Sequence, residues 1–292
     1  VNTVAGPLFN DAPSGGSSVV TTDEGNIPGM GSQHETSATQ PFGAATDGSF
    51  KMELHGADAT VSIGGTELKV ENGKLYHNGV EVTADAAVSV PGGAHGTLTV
   101  TGMDADGTVH YTYTLTAPVD ATGNASNRPG EGDAGRGEAV HADAFDVSIT
   151  TTGGTATGQI TVDALDDAPV LSTLDTTQTT VADGEAALTG TLSFTPGADA
   201  EGAQVTVEVE GQTFTGTKAN GEWTFTGGSG GSSFQLNGTA FTYTRPSSNT
   251  TDGRNDTIIL KVTVTDGDGD IAQQSVTVNL SLIHISEPTR PE

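Results

Sequence analysis

Asp266-Gly267-Asp268-Gly269-Asp270 sets three carboxylates at alternate positions with glycine between them. Carboxylate oxygens are hard donors, and a calcium ion takes six to eight of them at about 2.3–2.6 Å. Glycine permits the tight backbone that brings neighbouring carboxylates onto one ion, so calcium is the chemistry this run points to. It is not an EF-hand. Position 12 counted from Asp266 is Thr277, where that loop needs a bidentate Glu, and the run lies between strand-like segments.

Other motifs with chemical potential read as structure. Gly227-Gly228-Ser229-Gly230-Gly231 fits the G-x-S-x-G pattern of a hydrolase nucleophile. No helical pattern follows it, so it is expected to be a loop. His34, His55, His77, His95, His110 and His141 are scattered singly, with no metal-binding spacing. Trp223 and Phe225 alternate on one run, Phe241 and Tyr243 on a second, and Tyr111 and Tyr113 on a third. They are expected in the core. A carbohydrate-binding platform would instead show an exposed Trp223 beside Tyr243. Lys261 faces outward by alternation and Lys218 sits in a turn, so an isopeptide cross-link is not expected. No catalytic residue is expected.

The elements that must position the aspartates are strands. The 292 residues predict two domains. Apolar residues alternate with Thr and Ser over many short runs, and 41 Gly and 12 Pro punctuate them in Asn-Gly, Asp-Gly and Gly-Gly pairs. That pattern argues for an all-β protein and against disorder. With 37 acidic and 10 basic residues the net charge is −27, which excludes nucleic acid and anionic membrane surfaces as partners. No apolar run reaches the roughly 20 residues of a membrane-spanning helix, so membrane insertion is not expected. Cysteine is absent, so a secreted chain needs a staple other than disulfides. Val1 follows no basic-then-apolar leader, as expected of an internal fragment.

Residues 1–22 are rich in Gly, Ser, Pro and Thr and read as a linker. A first β-sandwich is expected over 23–168, interrupted by a long mobile loop at 117–140, and a second over 169–280. In the second, seven runs (188–194, 205–209, 213–217, 223–226, 240–244, 257–264 and 275–280) are the number expected of an immunoglobulin-like sandwich. Phe145, Val147 and Ile149 match Leu260, Val262 and Val264 at an offset of 115, and Ile160 and Val162 match Val276 and Val278 at 116. Both units therefore end in the same hairpin, a tandem duplication. Residues 281–292 break the Thr/Asp/Gly style and resemble the translation of a sequencing-library adapter, so they are set aside as a non-native tail.

In such a sandwich the loop between the last two strands lies where the chain enters the domain. Asp266, Asp268 and Asp270 are thus expected to meet Asp166 and Asp167 of the linker. Five carboxylates at one junction repel one another unless a cation neutralises them. Glu201, Asp252 and Asp256 are secondary candidates, followed by Asp104 and Asp106 in a shorter hairpin.

"DEGNIPG" (23–29), "GTLTVTGMDADGTVHYTYTL" (96–115) and "DAFDVSITTTGGTATGQITVDALDDAPV" (143–170) resemble successive parts of one repeat. It is the repeat of giant type I-secreted bacterial adhesins of the RTX and biofilm-associated classes, related to VCBS and cadherin-like repeats. "LKVTVTDGDGDIAQQSVTVNL" (260–280) is similar to the Ig-like repeats of the same proteins. The resemblance implies a tandem immunoglobulin-like and cadherin-like stalk, extracellular or at the bacterial cell surface. It implies calcium between modules and neighbouring repeats of the same chain as partners. The first unit has "TTTGGT" (150–155) where the second has "TDGDGD", so no calcium loop is expected there. The expected function is a non-catalytic spacer for cell adhesion and biofilm formation, with a carbohydrate-binding or accessory module of a secreted enzyme as the alternative.

Overall fold

Alternating Val, Ile, Leu and Thr runs fold as strands because a pleated backbone turns successive side chains to opposite faces, giving each run an apolar and a polar side. The computed structural model describes residues 13–28, 30, 45–119, 140–165, 167–182, 187–246, 257–267 and 269–281. They divide between two units at the Asp167–Ala168 bond.

The first unit contains β1 (Ser14–Gly15), β2 (Ser18–Asp23), β3 (Ala45–Glu53), β4 (Ala59–Ile63), β5 (Thr66–Glu71), β6 (Lys74–His77), β7 (Val80–Glu81), β8 (Val88–Val90), β9 (Gly96–Met103), β10 (Thr108–Leu115), β11 (Val140–Thr151) and β12 (Gly154–Leu165). A five-stranded sheet, β1-β3-β10-β9-β8, accompanies a seven-stranded one, β2-β12-β11-β4-β5-β6-β7. The second unit contains β13 (Val170–Thr176), β14 (Thr180–Ala182), β15 (Ala187–Thr195), β16 (Gln204–Val209), β17 (Gln212–Ala219), β18 (Glu222–Gly227), β19 (Ser233–Asn237), β20 (Ala240–Thr244), β21 (Thr257–Thr265) and β22 (Ile271–Ser281). Its sheets are β13-β15-β20-β19 and β14-β22-β21-β16-β17-β18. Each unit is a β-sandwich, and the chain is all-β with tandem Ig-like, cadherin-like architecture. Among the described residues no helix is long and apolar enough to cross a membrane.

The repeat seen in the sequence is a repeat of register. Phe145 lies opposite Ile160 in the first unit, and Leu260 lies opposite Val276 in the second. In both units a parallel strand from the N-terminal side flanks the last strand, β2 on β12 and β14 on β22. Phe145, Val147, Ile149, Leu260, Val262 and Val264 are buried. Between them Asp146 is exposed, and Lys261 reaches Glu208 on β16 at 2.8 Å. A fully buried Val, Leu, Ile or Phe contributes about 1.5–3 kcal/mol relative to exposure. Continuous cores of such residues hold each unit without a disulfide.

The linker expected over 1–22 is shorter than its composition suggests, because residues 14–15 and 18–22 are strand. Ser18 to Asp23 pair with Ile160 to Leu165, a long-range partner that local composition does not reveal. Val119 is buried and Val140 opens β11. Residues 120–139 of the expected loop lie outside the described residues, as do 282–292 of the tail.

Candidate metal centre

Thr265 ends β21 and Ile271 begins β22, so the aspartate run is the hairpin turn between the last two strands. The Asp266 N–H donates to the Asp270 carbonyl at 3.1 Å. Asp266 Oδ1 accepts the Gly269 N–H at 3.0 Å and the Asp270 N–H at 2.7 Å. Gly269 holds φ +114°, which disfavours an L side chain. The Asp266 carboxylate thus templates its own turn, as short acidic side chains do. Asp266 is 4% exposed and Asp270 6%. Asp268 lies outside the described residues.

A second loop, 196–203, backs this turn. The Gly267 N–H donates to the Asp199 carbonyl at 2.7 Å. A Cβ on Gly267 would run into the Glu201 carbonyl and lie 2.9 Å from that of Asp199, so only glycine lets the two loops close. Asp199 is 7% exposed, whereas Glu201, the secondary candidate, is exposed. Asp199 was not singled out from the sequence. Its signal is "ADAEG" (198–202), immediately before a strand that pairs with β21.

Register fixes which end of the unit this is. Val170 pairs with Thr195 and Gln204 pairs with Thr265. The start of β13, the 196–203 loop and the 266–270 turn therefore share the end of the second unit where the chain arrives from Asp167. Asp199, Asp266 and Asp270, all engaged with neighbours, bring carboxylate oxygen to it. An all-oxygen donor set suits calcium in kind. Among the described residues no group of three or more His, Asp or Glu closes tightly enough to hold an ion.

In the first unit β2 runs parallel to β12, with Asp23 opposite Leu165 and Asp167 two residues further on. Asp23, Glu24 and Asp167 are all buried at this end, where the chain leaves the unit. Glu24 Oε1 accepts the Val119 N–H at 2.6 Å. Asp166 lies outside the described residues. Asp23 and Glu24 were visible in the sequence only as part of the resembling motif "DEGNIPG".

Two further acids, Asp143, which is buried, and Glu210, which is partly so, tie loops to strands. Asp143 accepts the N–H groups of Ala94 (2.7 Å), His95 (3.2 Å) and Gly96 (3.1 Å), together with the Tyr113 hydroxyl (2.5 Å). Burial, then the Asp143 carboxylate, pushes the Tyr113 hydroxyl well above its ordinary pKa. In the second unit Glu210 pairs with Arg245 at 2.7 Å and accepts the Tyr243 hydroxyl at 3.1 Å. Burial first, and then Glu210, raises the pKa of Tyr243 too.

The remaining candidates have local work. Asp104 meets His110 at 2.8 Å. Asp106 accepts the Thr108 N–H at 3.1 Å and lies 3.4 Å from Lys51. The Thr108 hydroxyl and N–H, and then Lys51, hold the Asp106 carboxyl below the usual range. Asp252 and Asp256 lie outside the described residues. Ser229 donates its hydroxyl to Gln212 Oε1 at 2.9 Å in the turn between β18 and β19, and no helix follows. Tyr111, Tyr113, Phe241 and Tyr243 are buried as expected, so no Trp223–Tyr243 platform forms. Trp223 is half-buried, edge-on to Phe194 with ring centroids 5.1 Å apart.

No protein-family model matches the chain, and no curated protein matches its sequence. Solved structures similar to it include titin domains Z1Z2 in complex with telethonin, at 12% identity over 93% of this chain and 96% of that one, TM-score 0.40. Titin Ig tandem domains A164-A165 match at 10% identity over 93% and 96%, TM-score 0.24. Protocadherin Gamma B7 extracellular cadherin domains 1-4 match at 14% over 94% of this chain and 52% of that one, TM-score 0.26. At such TM-scores these likenesses carry no argument, and the fold class rests on the strand topology above.

Proposed function

We propose that this chain is a non-catalytic stalk segment of a large secreted bacterial adhesin, spacing and stiffening it through calcium held where one module joins the next. The supporting observation is where each unit keeps its buried acids. In the first unit Asp23, Glu24 and Asp167 sit at the end the chain leaves by; in the second, Asp199, Asp266 and Asp270 sit at the end it arrives at. Asp266, Asp268 and Asp270 would hold the ion from the second unit, and Asp166 and Asp167 from the linker. A bound calcium ion supplies charge neutralisation among these carboxylates. The protein's share is to present them from a turn already ordered by the Asp266 carboxylate and pinned through Gly267. The resemblance to RTX and VCBS-type repeats supports type I secretion, an extracellular or cell-surface location and a role in biofilm formation.

Extracellular modules bind calcium with Kd of roughly 10⁻⁴–10⁻³ M, so millimolar calcium adds about 0.4–1.4 kcal/mol per site. That is too little to fold a unit but enough to restrict a hinge. Isothermal titration of the whole chain with calcium should show binding in this range. Asp266→Asn with Asp270→Asn should weaken it at least tenfold. A flat titration of the parent chain, or an unchanged one for the double variant, rejects the reading.

A further inference from the structure

Trp223, the chain's single tryptophan, packs on Phe194 on one side and leaves part of its ring on a cleft that the spacer role does not use. Trp223 lies on β18, the outermost strand of the six-stranded sheet of the second unit, and β19 is outermost in the four-stranded sheet. The two edge strands approach one another. Beside them opens a concavity of about 490 Å³ lined by Gly221, Glu222, Trp223, Leu236, Asn237 and Gly238.

Trp223 and Leu236 are half-buried, packed against the core on one side while forming the cleft wall on the other. Glu222 and Asn237 are exposed, and neither side chain makes a hydrogen bond among the described residues. Gly221 and Gly238 turn the chain at the rim with positive φ, and nothing lies within 4 Å of where their Cβ atoms would be. The cleft therefore combines an aromatic wall with a carboxylate, a carboxamide and open space.

That combination matches a sugar ring. The C–H face of a pyranose packs on an aromatic ring, while its hydroxyls donate to a carboxylate and exchange hydrogen bonds with an amide. Glu222 and the net charge of −27 oppose an anionic sugar. We propose that this cleft binds a neutral hexopyranose unit of a glycan. The segment then touches polysaccharide itself in addition to spacing other modules, and this contact is independent of calcium.

Because Trp223 is the only tryptophan, its emission reports this site directly. Maltotriose, cellotriose, mannotriose and N-acetylchitotriose are titrated into the whole chain, with sialyllactose as the anionic control, in calcium and again in chelator. For a ligand of this size on a single aromatic wall, Kd is expected near 1 mM. At least one neutral sugar should shift the emission and protect Trp223 from acrylamide quenching, equally with and without calcium. Glu222→Gln and Asn237→Ala should each weaken it about tenfold while leaving the melting temperature unchanged. The proposal fails if no neutral sugar acts up to about 20 mM, roughly twenty times that Kd. It also fails if sialyllactose binds as well, or if neither variant weakens binding. None of these outcomes bears on the calcium titration.

Discussion

Gly267→Ala tests whether the 196–203 loop and the 266–270 turn are locked together. The added methyl runs into the Glu201 carbonyl and lies 2.9 Å from the Asp199 carbonyl. Backbone carbonyls cannot swing aside as the end of a side chain can, so the loops must part and the 2.7 Å bond from Gly267 N–H to Asp199 stretches. Overpacking costs about 1–3 kcal/mol and the lost hydrogen bond about 1, giving roughly 2–4 kcal/mol. A change of 1 kcal/mol moves the midpoint of a domain of this size by about 4–8 °C, so a fall of roughly 10 °C or more is expected. Trp223 lies in the second unit and is the chain's only tryptophan, so its emission during guanidinium or thermal unfolding isolates this unit's transition. Gly211→Asn is the control. Its φ of +72° suits Asn and nothing lies within 4 Å of the new Cβ, so it should cost less than about 1 kcal/mol. If Gly267→Ala unfolds within about 0.5 kcal/mol of the parent chain, the interlocked-loop geometry is wrong.

The buried Glu210–Arg245 pair makes a second prediction. Glu210→Gln removes the carboxylate that accepts from both Arg245 and the Tyr243 hydroxyl and should cost about 1–3 kcal/mol, read from the same emission transition; a loss under about 0.5 would contradict the pairing. Tyr111, Tyr113 and Tyr243 have hydroxyl pKa values raised by burial, so the fold favours their neutral forms. Stability from these groups is fully present below the ordinary tyrosine pKa of about 10 and is lost as pH rises above it. Urea midpoints measured from pH 8.5 to 11.5 should be level and then fall, and a level profile throughout would refute this burial. Ser229→Ala should change stability by no more than about 0.5 kcal/mol, since its hydroxyl serves only an exposed turn. A larger loss would show that the turn matters more than its exposure suggests.

The strands with clean alternation, such as β4, β10 and β21, were legible because one face of each is core. β1, β2 and β19 were not. They carry serine, glycine or asparagine, and their pairing with distant partners outweighs local composition. The aspartate turn stood out because three acids alternate with glycine. Asp199 did not, because a lone Asp in a Pro-Gly-Ala-Asp-Ala-Glu stretch resembles an ordinary turn. What matters about it is the register of Gln204 against Thr265, a relation spanning distant parts of the chain. The bond between Asp143 and Tyr113 was hidden for the same reason, since it links two strands separated by thirty residues.

The stiffening role is tested most directly by small-angle scattering from the whole chain, recorded in millimolar calcium and again after chelation. Calcium should narrow the distribution of dimensions and chelator should restore the breadth. A chain carrying Asp166→Asn, Asp167→Asn and Asp268→Asn should give the broad distribution under both conditions. Superimposable curves for the parent chain with and without the ion would contradict the account.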